Sequence, residues 1–290
     1  MSINQKHKNI TIVVFFYTMC IVFISSIQHK DGGYRLIIAS NRDEFYDRPT
    51  LSANYWEEAC DIIGGRDLNS SSKGGTWLAL DVKGKFSTLL NIFQLSNQPN
   101  VQSRGQLVEN FLKCSSDASE YSQLLQGVYN GFKLIMMRIS HSLIETSLLT
   151  NISFPNNPEI EHIPNGVKGF GNGNYQKVAQ GEKRFNDIVR KYGHNSCKDK
   201  LIQELLGLLK WDKHHLPDEE LAKTAPRHLD TDVHKQYSSI FVEIPFLKYG
   251  TRTHTIILLD HDGQIEYNEW TKVKEEWQHQ CFMTKLKCET

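Results

Sequence analysis

Short apolar runs at 20–27, 34–40, 76–81 and 86–92 constrain this chain more than any other feature of it. Glycine-bearing turns such as Asp31-Gly32-Gly33 and Lys83-Gly84-Lys85 divide them, which is the punctuation of strands. Helical spacing follows: Leu107, Val108, Phe111 and Leu112 share one side of 104–113, and a second helix is expected over 117–128. Strands are expected again at 131–138 and 142–150. Val178, Phe185, Ile188 and Val189 make 175–192 an amphipathic helix, and Leu201, Leu205, Leu206 and Leu209 mark the next. Late strands are expected at 237–243 and 253–260. Asp260-His261-Asp262-Gly263 then reads as a hairpin turn, because Asp-Gly tolerates positive φ, with Ile265 to Trp270 returning as its partner. Strands, then helices, then strands again predict an α+β domain layered as an αββα sandwich. No internal repeat or low-complexity linker interrupts it, so 19–290 is read as a single domain.

Directly after the run Leu36-Ile37-Ile38-Ala39 comes Ser40-Asn41-Arg42-Asp43-Glu44-Phe45. Side chains alternate on an extended backbone, so Asn41 and Asp43 share one face while Arg42 and Glu44 share the other. A cation flanked by carboxylates at a strand end can orient a ligand or a catalytic group, and a solvated turn laced with ion pairs is the bland alternative.

Composition removes several function classes. Lys+Arg and Asp+Glu are 33 each and no long basic block occurs, so a nucleic-acid partner is not expected. The six cysteines form no CxxC pair and no close Cys/His cluster, so neither a metal site nor a resident cofactor is expected and the cysteines are read as mostly free thiols. Asn9, Asn69 and Asn151 occupy glycosylation triplets, which are short enough to occur by chance. Residues 10–27 are almost continuously apolar behind Lys6 and Lys8, the pattern of a signal peptide or short anchor. The competing reading makes Cys20-Ile21-Val22-Phe23-Ile24 a buried first strand and 1–18 an extension. A start at Met19 halves the apolar run, and no stable membrane insertion is then expected.

Asn41-Arg42-Asp43-Glu44-Phe45-Tyr46, followed by Arg48-Pro49, resembles the signature of the NRDE-motif proteins, the Transport and Golgi organisation 2 family. Gly64-Gly65-Arg66-Asp67, Gly74-Gly75-Thr76-Trp77-Leu78, Arg104-Gly105 with Leu107-Val108, Asn130-Gly131-Phe132 and Tyr249-Gly250-Thr251-Arg252-Thr253 match in the same order. The resemblance runs from about Met19 to Glu269 and favours the strand reading of Cys20. It implies a role in Golgi organisation and secretion, and handling of an anionic amphipathic ligand such as acyl-CoA, or haem as bound cargo. Asn41, Arg42, Asp43, Glu44 and Arg252 are the implied ligand-binding residues. The implied compartment is the cytoplasm, with mitochondrial or Golgi association. For haem, the 12 histidines single out no ligand by spacing, and His254 is read as a surface residue.

Cys20 carries the sharpest chemical expectation. If Met19 initiates and is trimmed, Cys20 presents a thiol beside its own α-amine, whose pKa of about 7.7–8.0 suits a local base. That is the arrangement of N-terminal-nucleophile (Ntn) hydrolases, whose layered αββα fold is the one expected here. Members of choloylglycine-hydrolase type place an Arg and an Asp soon after the nucleophile, then two Asn, then a late Arg. The resemblance maps these onto Arg42 and Asp43, Asn91, Asn172 and Arg252. With Cys20 as nucleophile, Asn91 would donate to an oxyanion and Asn172 would orient the amine or the substrate. The alternative to a ligand carrier is therefore a thiol hydrolase of amides or thioesters.

Overall fold

The computed structural model describes residues 20–27, 32–69, 74–92, 101–152, 158–224 and 231–287. The extension over 1–18, the start at Met19, the triplet at Asn9 and Cys288 lie outside them. Strands β1 (Ile21–Ser25) and β2 (Leu36–Phe45) are followed by β3 (Thr50–Trp56), β4 (Ala59–Asp67), β5 (Leu78–Asp81) and β6 (Lys85–Asn91). Helices α1 (Gly105–Lys113) and α2 (Ala118–Leu124) precede β7 (Phe132–Ile139), β8 (Ile144–Thr150), β9 (Glu159–Ile163) and β10 (Val167–Gly171). Next come α3 (Gln176–Tyr192), α4 (Lys198–Leu209), α5 (Glu219–Thr224) and α6 (Thr231–Tyr237). Strands β11 (Glu243–Ile244), β12 (Tyr249–Leu259), β13 (Gln264–Val273) and β14 (Glu276–Lys285) complete the order.

The strands form two antiparallel sheets. One runs β10-β1-β2-β12-β13-β14 with β11 on β12, the other β3-β4-β5-β6-β7-β8-β9. Alternation along the strands builds three cores. Ile21, Phe23, Ile37 and Ala39 face α3 and α4, whose Phe185, Val189, Leu201 and Leu205 fill the first. Val22, Ile24, Leu36 and Ile38 point the other way, onto Ile63, Phe86 and Ile135 of the second sheet. The far side of that sheet packs Ala79, Leu134 and Met136 on Leu107, Val108 and Phe111 of α1 and on Tyr121 of α2. The layers are α, β, β, α, as the sequence predicts. β1 is buried on both faces, which is why it reads as an unbroken apolar run.

β2 extends through the polar motif instead of ending before it. Its ten residues stay in ladder because β1 pairs from Ile37 to Asn41 and β12 pairs along its whole length to Phe45. The strand expected over 237–243 is absent: α6 occupies the segment up to Tyr237, and just Glu243 and Ile244 pair, with Gly250 and Tyr249. β12 already has β2 and β13 beside it, so a longer strand would have no ladder to join. The Ser238 and Ser239 hydroxyls donate instead to the Lys235 and Asp212 carbonyls. Asn151, one of the glycosylation triplets, is buried, its amide accepting from the Phe132 N–H and donating to the Tyr129 carbonyl.

Candidate functional site

A cavity of about 290 Å³ opens where Cys20 and the second half of β2 meet Thr76 and Trp77 ahead of β5, the end of β6 and the amino terminus of α1. Of the predicted residues, Cys20, Arg42, Asp43, Glu44 and Asn91 line it. Alternation explains the selection. Cys20, Arg42 and Glu44 continue the inter-sheet face set by Val22, Leu36 and Ile38. The guanidinium of Arg42 lies 4.1 Å from the centroid of the Trp77 ring, and Nη2 is 3.6 Å from Glu44 Oε2. Its Nη1 is buried without a hydrogen-bond partner among the described residues. Glu44 also accepts from the Phe45 N–H at 2.9 Å and lies 3.4 Å from Arg48 Nε. Arg48 in turn donates twice to Asp67 Oδ2, at 2.9 and 2.7 Å. A cation on an aromatic face, braced by a carboxylate, is held in a fixed position.

Asn41 and Asp43 point the other way, as the alternation predicts, and Asn41 is not among the cavity's lining residues. Its Nδ2 donates to the carbonyls of Leu209 and Ile240 at 2.8 and 3.0 Å, joining β2 to the end of α4. Both amide hydrogens are thus spent, so Oδ1 accepts from His254 Nδ1 at 2.6 Å, which fixes the tautomer. His254 is fully buried and stacked on Trp277 at 4.5 Å, so its reading as a surface residue is corrected. Burial, with nearby Lys210, pushes it down to about 3, so it is neutral near pH 7.

The Asp43 backbone borders the thiol while its carboxylate sits among the helices. Oδ1 accepts from Thr251 Oγ1 at 2.6 Å and Oδ2 is buried without a partner. Burial raises Asp43 to about 7 against the opposing pull of Lys177 and the Thr251 hydrogen bond. Lys177 is itself buried, donates to the Ser239 carbonyl at 3.0 Å, and is lowered by desolvation against the pull of Asp43. Burial, then the Asp43 charge, pushes the Cys20 thiol up to about 12, although the Asp43 N–H hydrogen bond works against this. Cys20 is therefore a neutral thiol at pH 7. In the folded protein iodoacetamide is expected to label the exposed Cys60 and Cys281 and to leave Cys20 unmodified, read by peptide mass spectrometry. Rapid labelling of Cys20 would show that a base beside it generates thiolate.

Asn172 donates its amide to the main-chain carbonyl of Asn91, so the two predicted asparagines meet at the end of β6. Asn91 lines the cavity and Asn172 sits behind it. Arg252 lies elsewhere. It is the extra residue where the β12–β2 register shifts between Thr251 and Thr253. Nη1 donates to the Phe45 and Arg48 carbonyls at 2.8 and 2.7 Å, and Nη2 to Thr50 Oγ1 at 3.0 Å. Its guanidinium clamps the turn by which the chain crosses from one sheet to the other, and it is not among the cavity's lining residues.

Sequence reasoning named no role for Arg48, Asp67, Trp77 or Arg104, which also line the cavity. A signal existed, because all four lie inside the segments that carry the family resemblance. Lys177 had a different signal, a lysine on the same helical stripe as Gly181 and Phe185. The close approach of Gly75 to Gly105 sets the wall of the cavity. A Cβ on Gly75 would lie 2.6 Å from the Gly105 carbonyl carbon, so nothing larger than glycine lets α1 approach this near.

Fold and site together define an αββα sandwich with an arginine-lined cavity beside a buried thiol. The profile of the family described as Transport and Golgi organisation 2 matches residues 19–274. The bovine (Bos taurus) Transport and Golgi organization protein 2 homolog is 31% identical over 260 residues, covering 87% of this chain and 92% of the bovine protein. The human (Homo sapiens) homolog is 31% identical over 270 residues, covering 90% and 96%. Transport and Golgi organization protein 2 of Drosophila melanogaster is 32% identical over 270 residues, covering 87% and 92%. The chain belongs to the Transport and Golgi organisation 2 family. Among solved structures, a mutant conjugated bile acid hydrolase from Clostridium perfringens aligns with a TM-score of 0.45 at 9% identity, over 93% of this chain and 97% of that one. A Caenorhabditis elegans ortholog of N-acylethanolamine-hydrolyzing acid amidase aligns with a TM-score of 0.42 at 9% identity, over 64% and 85%.

Proposed function

We propose that the Cys20 cavity binds an anionic acyl compound, with acyl-CoA as the leading candidate, and holds it without cleaving it. On this reading the chain handles lipid-derived cargo in the cytoplasm or mitochondrion, and Golgi organisation and secretion depend on that supply. One observation carries the reading: Arg42 is 5% exposed, lies on the Trp77 ring, and has a buried Nη1 with no partner in the cavity wall. A buried guanidinium with an unfilled donor suits a ligand carboxylate, phosphate or polarised carbonyl. Haem fits less well. No histidine lines the cavity among the described residues, and the one sulfur there is held protonated. Among the described residues, no helix is long and apolar enough to cross a membrane.

The contact between Asn172 and Asn91 favours a second reading, hydrolysis through Cys20, since it holds Asn91 in the cavity wall with Asn172 directly behind it. That chemistry needs the α-amine of a chain beginning at Cys20, and the family match opens at Met19. Cys20→Ala separates the two. Under the binding reading it keeps affinity for palmitoyl-CoA within about threefold, because the neutral thiol contributes little beyond its volume. Under the hydrolytic reading it abolishes release of CoA.

A further inference from the structure

We propose that Arg104 and the first turn of α1 form an oxyanion subsite in the wall of the Cys20 cavity, for the carboxylate of a fatty acid or a phosphate of an acyl thioester. This rests on the acyl-ligand reading above and states where the ligand's charge sits.

Charge pairing sets Arg104 apart from the other arginines of the cavity. Arg42 has Glu44 at 3.6 Å, and Arg48 has Asp67 at 2.7 Å and Glu44 at 3.4 Å. Arg104 has no carboxylate within ion-pair distance among the described residues. Its guanidinium donates from Nη1 to the Gly131 carbonyl at 2.8 Å. The cavity therefore holds a cation with no counter-charge beside it among the described residues.

The helix adds a second donor set. Arg104 is the N-cap of the nine-residue α1, makes no side-chain capping bond, and no acidic residue occupies the first turn. The leading N–H groups of a helix lack intrahelical acceptors and carry the positive end of its dipole. Gly105 lines the cavity, drawn there by its contact with Gly75, so this end of the helix faces the ligand space. Independently, Arg42 in the same cavity has its buried Nη1 unpartnered among the described residues. Burial, then the like charge of Arg48, lowers Arg104 to about 10, which an anion between the two would relieve.

The test compares wild type, Arg104→Met and Arg104→Lys by calorimetric titration with palmitoyl-CoA, palmitate and the uncharged S-palmitoyl-pantetheine. Melting curves in inorganic phosphate against chloride at matched ionic strength accompany it. Arg104→Met is expected to weaken the charged ligands by about tenfold or more, to leave the uncharged one unchanged, and to remove any phosphate-induced rise in Tm. Arg104→Lys should restore part of each effect. Loss confined to palmitoyl-CoA assigns the subsite to phosphate, and loss confined to palmitate assigns it to carboxylate. Equal losses for charged and uncharged ligands, or no loss, overturn the subsite while leaving the acyl-binding reading standing. If no acyl compound binds wild type, that reading falls and the phosphate arm decides. An Arg104-dependent Tm shift supports the subsite, and its absence overturns it.

Discussion

Asn41→Leu is expected to destabilise the protein by about 3–9 kcal/mol, measured by urea unfolding, because each buried polar group left unmatched costs about 1–3 kcal/mol. Leucine nearly matches the shape of asparagine but strands three groups at once: the Leu209 and Ile240 carbonyls and the His254 Nδ1–H. All three are sealed between the first sheet and its helices, where water has no ready access. Stabilities of single domains are about 5–15 kcal/mol, so the variant stands near the limit of folding. The same change also tests the division of labour within the motif. A drop in ligand affinity with stability intact would put Asn41 in the cavity, against the geometry.

The second large effect is a dependence on pH. Asp43 has an ordinary value of 3.8 and in the folded protein holds its proton to about 7. Between those values the folded state binds more protons than the unfolded one, so this residue stabilises the protein on acidification. Each pH unit is worth up to about 1.4 kcal/mol. Glu269 behaves alike: burial raises it to about 7, although the Ala53 N–H and Thr271 hydroxyl favour its ionised form. His254 acts in the opposite sense. The unfolded imidazole binds a proton below 6.5 and the folded one at about 3, so its contribution is lost as pH falls between them. A difference measurement isolates Asp43. The stability of wild type minus that of Asp43→Asn should be larger at pH 5 than at pH 7 by about 2 kcal/mol. A difference that grows with pH would mean that Asp43 is ionised against Lys177.

Much of this was legible in the sequence where periodicity speaks. The runs that became β1, β2, β5, β6, β7 and β8 and the apolar stripes of α1, α3 and α4 gave the layer order, because each element buries the face its period defines. The split of the Asn-Arg-Asp-Glu segment was legible for the same reason, since alternation puts Arg42 and Glu44 on one face and Asn41 and Asp43 on the other; which face lies between the sheets and which meets the helices is set by the packing. What periodicity could not give was depth. The polar run reads as a strand end, yet β1 and β12 hold it in the interior, and only long-range pairing sets that. β14 was missed because its exposed pattern leaves little hydrophobic signal. Arg252 keeps its place in the order of motifs, but the register shift at Thr251 and Thr253 turns it onto the crossover turn, which no local pattern foretells. His254, one residue beyond that motif, looks like any polar residue until Trp277 and Asn41 close over it.

The central question for this protein is whether the cavity holds an acyl compound intact. The most direct measurement titrates the full chain with palmitoyl-CoA by calorimetry while free CoA thiol is followed in the same samples. Saturable binding is expected, with no thiol released above the protein-free rate and with affinity reduced by about tenfold or more in Arg42→Met. Glu44 keeps Arg48 as a partner in that variant, so the loss would report on the ligand rather than on folding. Steady release of CoA that disappears in Cys20→Ala, or no saturable binding by a folded wild-type chain, would contradict the account.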